Sequence, residues 1–382
     1  MDITVKEVLS KKDLKRFIRF PEKLYKGHAH WVPPLRADEY KTLSKVNPAF
    51  KHCKAKYFLA YKDGAIAGRI AGIINDNANS DWNEKIVRFG WLDMIDDINV
   101  TRALLDAVSE WGMENGMDTV KGPWGFSDMD KEGLLVEGFD NDPSITTLYN
   151  YPYYGEHLER LGYTKDVDWV QNKIELPERV PEKLAQFDSI VRKKYGVSVI
   201  VPRKLKDITR RAKEIFSVLN DSYVSLHEFT RLTELQIKLY IAQYVPFLNM
   251  NLVCVVVDSD DRVIGFAITM PSLSDGFRKA GGKLFPTGFY HILRSMKKLD
   301  TIECYLIGVI PEYRNKGINA LIFNHLHSNY VKLGAKVIIS NPQLEHNYAV
   351  QRLFEYYETI PYMRRRCYLS HLSNHEKKSL CQ

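Results

Sequence analysis

The sequence predicts an α/β protein built as two mixed-sheet (α+β) domains in tandem, and three observations carry that prediction. Hairpins and helical patterns alternate twice in the same order along 382 residues, a length that accommodates two cores. Pro177 and Pro181 punctuate the chain between the two runs. Landmark glycines also recur: Gly68 in Ala67-Gly68-Arg69 matches Gly265 in Ile264-Gly265-Phe266, and Gly116 and Gly334 each close a helical pattern. The two landmarks lie 48 residues apart in the first half and 69 in the second, and a basic segment at 271–298, read as an insertion, is about the size of the difference. The expected organisation is a domain at 1–176, a linker at 177–196 and a domain at 197–382.

In order, the first half reads as a strand at 3–8, a helix at 11–19 and a proline-fixed extended piece around Trp31. A hairpin follows at 56–61 and 65–74, turning at Asp63-Gly64. A strand at 86–92, a helix at 101–115 and a short strand at 119–121 come next. Residues 122–150 read as loop; their acids do not have EF-hand spacing. A helix at 155–160 and strands reaching Leu176 close the half. The second half repeats the order with a strand at 197–201, helices at 205–219 and 234–244, a hairpin at 252–257 and 263–270, and a strand at 302–309.

The totals bound the chemistry. The net charge of +7 suits an acidic ligand, but no long Lys/Arg block points to nucleic acid. Cys53, Cys254, Cys304, Cys367 and Cys381 are scattered and never form a C-x-x-C pair, which argues against a disulfide framework and a zinc site. His325 and His327 fall two apart on a helix and therefore on different faces, so no metal is expected. There is no signal-peptide-like start and no apolar run of membrane-spanning length. The expectation is a cytoplasmic protein with no membrane or nucleic-acid partner, with a homodimer left open.

The chain is organised around Tyr305-Leu306-Ile307-Gly308-Val309-Ile310-Pro311, a buried strand stopped by proline, and the basic, Gly-bearing turn after it. A helical pattern follows through Ile318, Leu321, Ile322, Leu326 and Tyr330 to Gly334. Strand, Gly-turn and helix make an anion site: the first helical turn offers free N–H groups at the positive end of the dipole.

Arg314-Asn315-Lys316-Gly317-Ile318-Asn319, after Val309-Ile310-Pro311, resembles the cofactor loop of the GNAT superfamily of acyl-CoA N-acyltransferases. Asn319 departs from the small residue of the family pattern. The alternation of elements resembles GNAT twice over, and the Trp31-Val32-Pro33-Pro34-Leu35 opening is similar to that of bacterial proteins read as tandem GNAT. The resemblance implies acetyl-CoA or another acyl-CoA as donor and an amine of a small molecule or peptide as acceptor. It also implies contacts from Val309, Arg314, Asn315, Lys316, Gly317, Ile318, Asn319 and Asn347, with a free N–H near Val309 for the oxyanion. The first half carries Asp96-Asp97 where its loop would lie, and two carboxylates would repel a pyrophosphate.

Glu303 and Tyr305, two apart on one strand face with Ile307 and Val309 beyond them, are candidates for catalysis, Glu303 as base. His346 is a further candidate base. The family often places a Tyr seven residues after an Asn as acid; from Asn347 that position is Phe354, and Tyr356 or Tyr357 is the nearby substitute. A Fem-like aminoacyl transferase and a non-catalytic acyl-CoA sensor are the alternatives.

Overall fold

The computed structural model describes residues 2–372 except 203 and 355; Cys381 lies outside them. The described chain divides into two compact units, one from the segments 2–169, 273–293 and 363–372 and the other from 170–272 and 294–362.

The first part of the chain forms β1 (Ile3–Glu7), α1 (Lys11–Leu24), α2 (Arg36–Leu43), β2 (Cys53–Lys62), β3 (Ala65–Asn75), α3 (Asp76–Trp82), β4 (Ile86–Met94), α4 (Ile98–Glu114), β5 (Thr119–Gly122), β6 (Leu134–Glu137), α5 (Tyr153–Arg160) and β7 (Thr164–Glu175). The second forms α6 (Glu182–Tyr195), β8 (Ser198–Ile200), α7 (Leu205–Tyr223), α8 (Glu234–Tyr244), β9 (Val253–Val257), β10 (Val263–Pro271), α9 (Ser274–Ala280), α10 (Gly288–Ser295), β11 (Thr301–Val309), α11 (Ile318–Leu333), β12 (Val337–Ile339), β13 (Gln343–Leu344), α12 (Tyr348–Gln351) and β14 (Thr359–His371).

In the first unit the sheet order is β1-β2-β3-β4-β5-β14. β14, the last described strand, thus completes the first sheet, pairing Tyr368 with Gly122 and His371 with Thr119. In the second unit the order is β7-β12-β11-β10-β9-β8, with Glu175 of β7 opposite Val337. Neither exchange is visible in a linear reading that closes each half on its own strands. One face of the first sheet packs on α1 through Phe17 and Ile18, which meet Tyr57, Leu59, Ala71 and Ile73 in one apolar cluster.

Two expectations change shape. Residues 177–196, expected as a linker, contain the fourteen-residue α6, which buries Leu184 and Val191 and packs along α11. The 271–298 segment, expected as an insertion of the second half, contributes 273–293 to the first unit. It is fastened there by Ser274 Oγ donating to Pro143 O at 2.6 Å and by an Arg278–Asp142 ion pair.

The repeat is exact at the key register. Gly68 opposes Met94 in β3–β4, and Gly265 opposes Val309 in β10–β11.

Candidate active site

In both units one strand separates from its parallel neighbour. β4 pairs with β5 only from Ile86 to Arg88, and β11 pairs with β12 only from Thr301 to Glu303. Both strands then carry an extra residue against their antiparallel partner. The register slips around Trp91, which has φ +46°, and around Tyr305, which falls between the pairs Cys304–Thr269 and Leu306–Ile268. The bulge corrects the expected strand face. Glu303 and Tyr305 remain together, with Tyr305 Oη donating to Glu303 Oε2 at 3.1 Å, but the extra residue turns Ile307 and Val309 to the opposite face.

The two forks differ in what enters them. In the first unit the chain after β5 turns in: Trp124 N donates to Phe89 O at 2.7 Å, and a Cβ on Gly90 would lie 2.5 Å from Trp124 O. At the helix after that fork, Asp97 accepts from Asn99 N at 2.9 Å and pairs with Lys62 Nζ at 2.6 Å. A carboxylate of the chain already holds the place where an anion would sit. In the second unit the chain after β12 runs along β7 instead, Ser340 N donating to Asn172 O and β13 pairing with β7.

Ile310 N donates to Ile264 O, so alternation points the N–H and C=O of Ile307 and Val309 away from β10, into the second fork. Tyr223, at the end of α7, reaches this side and donates to Ile307 O at 3.1 Å; burial pushes its hydroxyl up to about 12. α7 comes this close because residue 308 is glycine: a Cβ there would meet Ser222 Oγ and Phe266, each at 2.9 Å. Burial likewise pushes the Cys304 thiol up to about 12, away from the thiolate form a nucleophile uses.

The turn to α11 is built for backbone donors. Asn315 has φ +59° and Gly317 φ +81°, α11 runs sixteen residues, and its first turn holds no acid. Ile318 is buried beneath the turn, 3.2 Å from where a Cβ on Gly265 would lie, so its backbone alone faces the loop. Asn319, next in that turn, is half-buried. Arg314 Nη2 donates to Ser222 O at 2.7 Å and ties the loop to the end of α7. Lys316 Nζ stands over two rings, 4.7 Å from Tyr313 and 5.4 Å from Tyr195. Val191, also on α6, closes against Gly317. Reading 177–196 as a linker hid Val191 and Tyr195; the basic end of α6 before Gly196 is the signal that would have found them.

The remaining candidates have partners of their own. Asn347 caps α12 through Val350 N, and His346 is exposed beside Glu345. Phe354 is a core residue, edge-on to Phe323. Tyr357 is buried, its hydroxyl 3.0 Å from His327 Nδ1, while His327 Nε2 lies 3.0 Å from Pro177 O. A carbonyl can only accept, so Nε2 carries the imidazole proton and Tyr357 donates to Nδ1. Burial holds His327 below its usual pKa, in keeping with a neutral ring.

No family model matches the sequence. The chain is 28% identical over 373 residues to Protein YghO of Escherichia coli K12, covering 95% of this chain and 94% of that protein. It is 29% identical over 302 residues to the bacterial ceramide synthase of Caulobacter vibrioides, covering 78% of this chain and 77% of that one. Among solved structures, a tandem GNAT protein from the clavulanic acid biosynthesis pathway superposes with a TM-score of 0.55 at 12% identity, over 97% of this chain and 99% of that one. A GCN5-related glucosamine N-acetyltransferase region of a fungal multi-domain enzyme gives a TM-score of 0.55 at 15% identity, over 97% of this chain and 38% of that one. The fold is that of the tandem GNAT proteins.

Proposed function

We propose that the second unit catalyses transfer of an acyl group from acyl-CoA to the primary amine of a long-chain, sphingoid-type base. The observation that carries the reading is the contrast between the units: Trp124 fills the first fork and Asp97 caps the helix after it, whereas the second fork has backbone groups turned into it beside an acid-free helix start. The lipid nature of the acceptor is supported by the likeness to the bacterial ceramide synthase, since a ceramide is the amide of a fatty acid with such a base.

The residues fit an acyl-CoA pyrophosphate. The N–H groups of the 314–319 turn and the start of α11 would bind it, with Lys316 adding charge. The acyl-CoA supplies the thioester. Val309 N–H would donate to the carbonyl oxygen as charge develops on it while the amine nitrogen bonds to the carbonyl carbon. Glu303, held by Tyr305 and set well down β11 from Val309, is the proposed base and would take the amine's proton through intervening water. The C–S bond then breaks and the thiolate leaves to be protonated by solvent.

The test is turnover by the purified full chain with palmitoyl-CoA or acetyl-CoA and either sphinganine or small amines, read as free thiol release and as amide by mass spectrometry. Palmitoyl amide of sphinganine, lost in Gly317→Asp, is the expected result. Turnover confined to acetyl-CoA and small amines would overturn the lipid acceptor. Failure of every combination would overturn the transferase.

A further inference from the structure

We propose that the first unit docks on an anionic lipid bilayer through the aromatic tip of residues 284–293 and the basic face of α1. This surface is distinct from the fork of the second unit, and its binding does not depend on acyl transfer.

The tip exposes apolar side chains in an arrangement a water-facing surface does not require. Phe285 is 73% exposed, Tyr290 57%, Leu293 47%, Phe289 42% and Leu284 38%, all within ten residues. They are not a frayed end. Ile292 anchors α10 in the core, Phe289 N donates to Leu284 O at 2.8 Å, and the rings of Phe285 and Phe289 lie 5.8 Å apart. Phe289, Tyr290 and Leu293, at i, i+1 and i+4, form one exposed strip of α10, with Ile292 buried at its edge.

The charge beside the tip is positive. α1 buries Leu14, Phe17, Ile18 and Phe20, and its other side presents Lys12, Lys15, Arg16, Arg19 and Lys23 along one groove. The two acids of α1 are engaged: Asp13 with Ser10 and Arg16, and Glu22 with Arg36. The two features meet. Arg36 N donates to Gly282 O at 3.0 Å, and a Cβ on Gly282 would lie 3.1 Å from Glu22 Oε1. The end of α1 therefore abuts the root of the tip, with exposed Lys279 and Lys283 flanking it. Exposed aromatic and aliphatic side chains bordered by a dense cationic face suit the headgroup–acyl boundary of an anionic leaflet. A nucleic acid would use the cations and could stack on Phe285, but it would leave Leu284 and Leu293 idle. The expectation of no membrane partner rested on the lack of a spanning segment, which interfacial docking does not need.

The test is co-sedimentation of the full chain, without acyl-CoA, with vesicles of phosphatidylcholine alone and of phosphatidylcholine with phosphatidylglycerol, alongside a poly(U) filter-binding arm. Pelleting only with the anionic vesicles is expected, weakening as salt rises. Phe285→Ser with Phe289→Ser should lower vesicle affinity about tenfold or more, and Lys15→Glu with Arg19→Glu should remove the preference for phosphatidylglycerol. These side chains are exposed, so circular dichroism should be unchanged; were a pair to misfold, the single Tyr290→Ser variant would be read in its place. No pelleting with either vesicle overturns the proposal. So does pelleting indifferent to the Phe variants, or tight poly(U) binding with no vesicle binding.

Discussion

The Tyr357 hydroxyl donates to His327 Nδ1 at 3.0 Å, and His327 in turn donates from Nε2 to the Pro177 carbonyl. The rings also stack, with centroids 5.7 Å apart. This chain of donors joins α11 to the segments before α6 and β14, and it directs the tyrosine's proton into the core. Tyr357→Phe should therefore cost about 1 to 2 kcal/mol, by leaving the buried Nδ1 without a donor. Urea denaturation reads that cost. Acyl transfer per folded molecule should stay within a few-fold of wild type; a hundredfold loss of kcat with unchanged stability would return Tyr357 to the role of acid.

Gly317 combines two constraints. Its φ of +81° disfavours any side chain, and a Cβ there would lie 2.7 Å from Val191 Cγ2. Gly317→Ala should cost about 2 kcal/mol, part backbone and part overlap with α6. Adding Val191→Ala should recover the overlap but not the backbone part, a coupling of about 1 kcal/mol in a double-mutant cycle. Strict additivity would mean that α6 does not sit against the loop in solution.

What could be read in the sequence was whatever repeats or breaks a pattern locally. Asp63-Gly64, the landmark glycines and Pro311 placed the hairpins and the turn before α11. The bulge at Tyr305 was hidden because residues 304 to 307 form an unbroken apolar run in which a one-residue slip leaves no mark. α6 was hidden behind Pro177 and Pro181, although one of them, Pro181, directly precedes its first turn. β14 was the largest omission. Arg364-Arg365-Arg366 disguises the alternation, since Arg365 is 1% exposed and its neighbours meet Asp168 nearly two hundred residues earlier. Partners that distant have no local signature.

Asp168 gives that strand a pH dependence. The carboxylate is buried between Arg364, at 3.1 Å, and Arg366, at 2.8 Å, with Lys165 at 3.2 Å. Burial alone would raise its pKa, but hydrogen bonds from Arg366, Lys165 and Arg364 outweigh it and hold the group below the usual value. A depressed carboxyl contributes stability that is fully present above its unfolded pKa of about 4 and is lost as pH falls through the folded one. Denaturation midpoints from this group should be level above about pH 5 and fall below about pH 4. Asp168→Asn should lower stability by about 3 kcal/mol at neutral pH and shrink the acid-dependent part. An unchanged acid limb in the variant would show that Asp168 is not its source.

The Glu303–Tyr305 contact sets the kinetic prediction. Glu303 is 5% exposed and lies where β11 leaves β12, and Tyr305, the bulged residue, fixes one carboxylate oxygen. A base acts on the amine only after the acyl donor is bound, so removing it should leave donor binding alone. Glu303→Gln should lower kcat by about a hundredfold or more while KM for acyl-CoA changes little. Because the variant depends on amine that has already lost its proton, its rate should rise about tenfold per pH unit below the amine's pKa. Tyr305→Phe should cost far less, since it frees the carboxylate without removing it. A Glu303→Gln enzyme with wild-type kcat and the same pH profile would remove Glu303 from the reaction and leave the deprotonation to solvent.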